Sequence, residues 1–100
     1  MKIISKKDFD KRIVKEKKDT AVLFFKPNCD LCDRMEEAVC GIDGVEIYKV
    51  NVEHESQLTS QNAVMSVPTI VYFRLGEPVA RSIGVKTHEE IEKTVTDIYR

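Results

Sequence analysis

The sequence has no tryptophan, little glycine and proline, and no apolar run approaching the ~20 residues that a membrane span requires. No internal repeat, low-complexity segment or linker interrupts it. Charge of neither sign dominates: the formal net charge is −1, and the basic residues are spread along the chain. Binding to nucleic acid or a membrane surface through charge therefore has no basis. The densest basic run, Lys15 to Lys18, contains Glu16 and reads as a solvated helix end. Cysteine is scarce too. Three is an odd count and too few to staple a secreted domain. Met1-Lys2-Ile3-Ile4 opens like a signal peptide, but Ser5-Lys6-Lys7-Asp8 ends the apolar stretch at once. The expectation is one soluble, cytoplasmic, monomeric domain over residues 1–100, with one core.

What is present alternates. Lys2-Ile3-Ile4 reads as a short strand. Ser5 and Asp8 resemble a capping box, and Phe9, Ile13 and Val14 carry helical spacing to about Lys17. Ala21 to Phe25 is apolar throughout, as in a strand covered on both faces. A helix follows from about Cys29 to Cys40, with Leu31, Met35, Ala38 and Val39 as its inner stripe and Gly41 as its stop. Val45 to Val50 alternates as a strand does. Glu55 to Val64 reads as a weak polar helix. Thr69 to Phe73 is the clearest strand, and Leu75-Gly76-Glu77-Pro78 joins it to Val79 to Ile83 as a hairpin. Thr87 and Glu90 form a second capping box, with Ile91, Val95, Ile98 and Tyr99 on one face behind it. The order β-α-β-α-β-α-β-β-α predicts an α/β fold: a mixed central sheet with helices on both faces.

Chemistry concentrates in Cys29-Asp30-Leu31-Cys32. A strand ends, Lys26-Pro27-Asn28 turns, and two thiols stand where a helix begins. The first N–H groups of a helix lack intrahelical partners and the peptide dipoles add, so a thiolate there is stabilised. The residues alone leave redox chemistry, a zinc half-site or inert thiols open. Zinc would need further ligands. Cys40, His54 and His88 do not form a second compact pair. Cys40 reads as a semi-buried small apolar residue, and the two histidines as solvent-exposed at helix starts.

With these residues in hand, the chain resembles the thioredoxin family over nearly its whole length. The resemblance rests on Cys29-x-x-Cys32 at a strand-to-helix junction, on Lys49 to Glu53, on Ser66-Val67-Pro68-Thr69, and on Phe73 to Glu77 followed by Gly84 and the capped last helix. It implies a thioredoxin fold and thiol–disulfide exchange, with Cys29 attacking a client disulfide and Cys32 resolving the mixed disulfide. It implies a cis Val67–Pro68 bond against the sulfurs, and client main chain pairing at Val67. On the residues alone, Pro68 would also suit the first position of a strand. The redox group would be the Cys29–Cys32 disulfide, with no other cofactor and no metal. Disulfide-containing proteins would be the clients and a thioredoxin reductase the electron donor.

The departures bear on tuning. The family motif has Trp before the first cysteine and Gly-Pro between the two; Asn28 and Asp30-Leu31 stand there. Bringing a thiol from about 8.5 to about 7 takes roughly 2 kcal/mol, within reach of a partly buried helix terminus. Asp30 beside Cys29 opposes the thiolate, and Lys26 offsets this if its ammonium turns inward. The family's buried Asp is replaced by Leu23, although its lysine partner, Lys49, is kept. A proton acceptor for Cys32 is therefore not evident in the sequence. A glutathione-dependent, glutaredoxin-like enzyme and a non-enzymatic adaptor of the same fold are the alternatives.

Overall fold

The computed structural model describes residues 1–100. Five strands form one sheet in the order β1-β3-β2-β4-β5. They are β1 (Lys2–Ile3), β2 (Thr20–Phe25), β3 (Glu46–Asn51), β4 (Thr69–Arg74) and β5 (Glu77–Ile83). The helices are α1 (Lys6–Phe9), α2 (Asp30–Val39), α3 (Ser56–Gln61) and α4 (His88–Tyr99). β1, β3 and β2 run parallel, and β4 and β5 are antiparallel additions. This is the mixed sheet that the element order predicts. Helices connect the parallel strands because a parallel return needs a long crossover.

β2 is the central strand, and its alternate residues enter two cores. Val22 and Phe24 join Phe9, Ile13, Val50, Leu58, Val71 and Phe73 on the face covered by α1 and α3. Ala21 and Leu23 join Met35, Val39, Ile70, Tyr72, Ile91 and Val95 on the face covered by α2 and α4. An uninterrupted apolar strand is thus what a sheet with two covered faces demands.

Both capping boxes form. Ser5 and Asp8 close reciprocally at the start of α1, as do Thr87 and Glu90 at the start of α4. Each satisfies N–H donors that a helix start leaves free. The hydrogen bond from the Ser5 backbone leads in lowering the Asp8 carboxyl, and that from the Thr87 backbone does so for Glu90.

Three local expectations are corrected. The first helix does not continue as α to Lys17: Asp10–Lys15 winds as a π-helix. Phe9 and Ile13 stay on the core side in either winding, so apolar spacing over this length does not distinguish the two. The carbonyls of Ile13 and Val14 pack so close to Gly76 that an added Cβ there would lie 3.2 and 3.3 Å from them. The hairpin turn is Leu75-Gly76 alone, both residues at positive φ (54° and 82°), and Pro78 lies inside β5. β5 is an edge strand, where a missing N–H is tolerated. The weak helix is shorter than Glu55 to Val64, ending at Gln61.

The end of the chain is pinned by Tyr99, whose phenol lies within hydrogen-bond distance of the carbonyls of Phe73 (2.9 Å) and Thr20 (3.3 Å). Burial, then the charge of Asp19, pushes this phenol up; burial likewise raises Tyr72, whose hydroxyl pairs with Ser82. An acid whose folded pKa is raised contributes stability that is complete below its unfolded value and lost as pH rises past it. Unfolding titrations should therefore show stability falling above about pH 10, the ordinary tyrosine value. Tyr99→Phe should flatten that fall; an identical alkaline limb in the two proteins would refute the assignment.

Candidate active site

β2 carries the chain to the site and stops where Lys26 and Pro27 emerge into solvent. Asn28 then takes a left-handed conformation, φ 55°. Asn tolerates that region better than most residues because its short amide can bond locally. The turn leaves Cys29 extended (φ −127°, ψ 104°) as the N-cap of α2. Its Sγ accepts the Cys32 N–H at 3.1 Å, in the place an oxygen usually takes at a helix start. The sulfur thus meets one of the donors that would hold a thiolate.

Cys29 and Cys32 form a disulfide, with Cα atoms 5.2 Å apart. Their exposures differ. Cys29 is half-buried at the rim of an open cleft of about 500 Å³, whereas Cys32 is only 3% exposed. Lys26, Leu31, Val52, Met65 and Val67 contribute to the cleft walls. Val67–Pro68 is cis, as the resemblance implies. Pro68 is buried, its carbonyl accepting from Gly84 N–H at 2.9 Å, and Thr69 Oγ1 donates to the Ser66 carbonyl at 2.8 Å. These bonds brace the loop whose Ser66 and Val67 line the cleft together with Cys29.

The remaining candidates divide. Lys26 lines the cleft with Cys29 and Val67. Asp30 is the exposed first residue of α2. Lys49 lies on β3, in register with the fully buried Leu23. Its ammonium crosses the Phe25 ring at 5.0 Å and donates to Glu36 Oε1 at 2.8 Å. Sequence reasoning missed Glu36, although its place four residues after Cys32 was a usable signal. It missed Met65 too, the most exposed large apolar side chain at 93%, three residues before Pro68.

Three side-chain expectations are corrected here. Leu31 is not on the inner stripe but half-exposed on the cleft; Cys32, Met35 and Val39 are the buried residues of α2, at spacings of three and four. Cys40 is exposed rather than semi-buried. It is the C-cap, and its extended backbone (φ −60°, ψ 131°) leaves the helical path. His88 is not free in solvent: its Nδ1 lies 2.9 Å from the Ala38 carbonyl, tying α4 to α2. His54 is exposed just before α3. No three His, Cys, Asp or Glu side chains converge to hold a metal ion.

Comparison with known proteins bears directly on this geometry. Residues 1–97 match the family model described as Thioredoxin. The thioredoxin of Alicyclobacillus acidocaldarius is 34% identical over 86 residues, spanning 81% of this chain and 82% of that one. The chain belongs to the thioredoxin family. A probable thioredoxin-2 of Caenorhabditis elegans is 30% identical over 101 residues, spanning 96% of this chain and 70% of its relative. The Malassezia sympodialis thioredoxin structure superposes with a TM-score of 0.88 at 21% identity, covering 100% of this chain and 91% of the other; at that identity it bears on the fold alone. The sheet with two helix-covered faces is thus the thioredoxin fold. The Cys29–Cys32 pair is the redox-active group of a thiol–disulfide oxidoreductase. Thioredoxins as a family reduce disulfide clients and take electrons from thioredoxin reductase.

Proposed function

We propose that this chain is a cytoplasmic, monomeric reductant of protein disulfides, with Cys29 as the attacking thiolate and Cys32 as the resolving thiol. The observation that carries the reading is the unequal exposure of the two sulfurs' residues. Cys29 stands at the cleft rim on a helix start, where a client sulfur can reach it; Cys32 is 3% exposed and can meet only a disulfide already formed at Cys29. Attack breaks the client disulfide and forms a bond from Cys29 to one client sulfur. Cys32 then attacks Cys29, and the client leaves with two thiols.

The other candidates take supporting roles. Val67 would present its main chain to the client segment beside Pro68, pairing as an added strand does. Such pairing reads backbone rather than sequence, so the cleft accepts varied clients. The apolar surface of Leu31 and Met65 would cover the client's side chains next to the scissile bond. Lys26 and Asp30 would set opposing charges around the Cys29 thiolate. No cofactor beyond the disulfide is required, since the two cysteines carry both electrons.

A coupled assay tests the reading. Reduction of a protein disulfide should proceed with thioredoxin reductase and NADPH, and far more slowly with glutathione and glutathione reductase. The strand and helix that precede β2 favour this outcome over a glutaredoxin-like one. Activity with glutathione alone would replace the proposed donor. Activity with neither system would leave the adaptor reading.

A further inference from the structure

Resolution requires Cys32 to lose a proton. A free thiol ionises at about pH 8.5, and burial disfavours the thiolate. Cys32 is 3% exposed, and β2 beneath α2 has no titratable side chain from Thr20 to Phe25. A base must come from elsewhere.

Glu36 lies one turn after Cys32, at i+4 on the same side of α2. Side chains so spaced have Cβ atoms about 5–6 Å apart. Helical Cα–Cβ bonds also tilt toward the N-terminus, so Glu36 leans back toward the turn that holds Cys32. Its carboxylate is tethered, not free in solvent. Lys49 Nζ holds it at 2.8 Å, and the lysine is itself fixed against the ring of Phe25, the last residue of β2 before the motif loop. We propose that Glu36, held in place by Lys49, accepts the proton of Cys32 in the resolving step, directly or through one water.

The inference rests on the dithiol reading above. In the mixed disulfide, Cys29 Sγ is bonded to a client sulfur. The Cys32 S–H bond breaks, its proton passes to the Glu36 carboxylate, and its electron pair attacks Cys29 Sγ. The bond from Cys29 to the client breaks, and the client sulfur leaves with that pair. The client thiolate then takes a proton from Glu36 or from water, which restores the carboxylate. The two cysteines end oxidised and the client reduced. The other charged or ionisable groups around Glu36 are Asp33, Glu37 and Cys40 on its own helix and Lys49 on β3. α4 meets α2 through His88 at Ala38, two residues further along and so on the opposite side of the helix. Lys49 is thus the one cation that faces the carboxylate.

The test is a single-turnover reaction of the reduced protein with dithionitrobenzoate. A first thionitrobenzoate is released when Cys29 attacks, and a second when Cys32 resolves. With Glu36→Gln at about pH 7, the second release should slow by roughly a hundredfold or more while the first is unchanged. The deficit should shrink as pH rises past about 8.5, where the thiol ionises unaided. Glu36→Asp should recover part of the rate. Equal second phases in Gln variant and wild type would overturn the proposal, as would a slowing that affects both phases alike or ignores pH. A wild-type protein that gives no second release would instead overturn the dithiol reading, and this inference with it.

Discussion

Cys32→Ser should stop turnover and leave Cys29 covalently joined to its client. The reason is the geometry of the second step. In the wild type the resolving sulfur is three residues from Cys29 and already within bonding distance of it, with Cα atoms 5.2 Å apart. Intramolecular steps so arranged behave as if the attacking group were present at concentrations far above any in solution. Without Cys32, the mixed disulfide must wait for an external thiol. Turnover should fall by at least about a hundredfold, and the trapped species should appear on a non-reducing gel as the sum of the two masses. Cys29→Ser should also abolish turnover, but with nothing trapped. Cys32 is too buried for a folded client to reach, and a serine at the helix start is not a nucleophile toward sulfur. The two variants together test the order of attack. A mixed disulfide at Cys32 in the Cys29→Ser protein would reverse it. Equal trapping in both would show that α2 opens enough for either sulfur to react.

Much of this site is legible in the sequence, because its signals are local. The strand-to-helix junction at Cys29 follows from Ala21 to Phe25 and the turn residues after it. The capping boxes at Ser5 and Thr87 are complete within four residues. Val67–Pro68 was expected to be cis from family resemblance, and it is. What stayed hidden depends on contacts between distant segments. Leu31 satisfies an inner-stripe pattern, but the pattern does not say where α2 leaves the sheet and meets the cleft. Gly41 marks the end of the helix, but nothing near Cys40 indicates that its side chain is left outward there. Most consequential is the pairing of Lys49 with Glu36, residues 13 apart on a strand and a helix. The sequence shows a lysine without its expected carboxylate partner at position 23. The fold supplies another from the helix above.

Phe24→Ala should lower the melting temperature more than any substitution at the cleft rim. Phe24 is fully buried near the C-terminal end of β2, between Val50 on β3 and Thr69 on β4. It shares its core with Phe9 and Phe73, whose rings meet edge to face at 5.2 Å. Truncating a buried phenylalanine costs about 3–5 kcal/mol, because the lost transfer energy is joined by a cavity that the neighbours fill only in part. A domain of this size has a total stability of about 5–15 kcal/mol, so the loss is a large fraction of it. At about 4–8 °C per kcal/mol, melting should drop by roughly 12–40 °C. Leu31→Ala is the contrast. Leu31 is 50% exposed, so it should lower client reduction while moving the melting point by only a few degrees. The oxidised protein should be used for both, so that the Cys29–Cys32 link is the same in each. A Phe24→Ala shift of under about 5 °C would mean that the β2 core collapses around the gap. The rigid delivery of Cys29 to the cleft would then depend on the loop and the α2 cap more than on the strand beneath them.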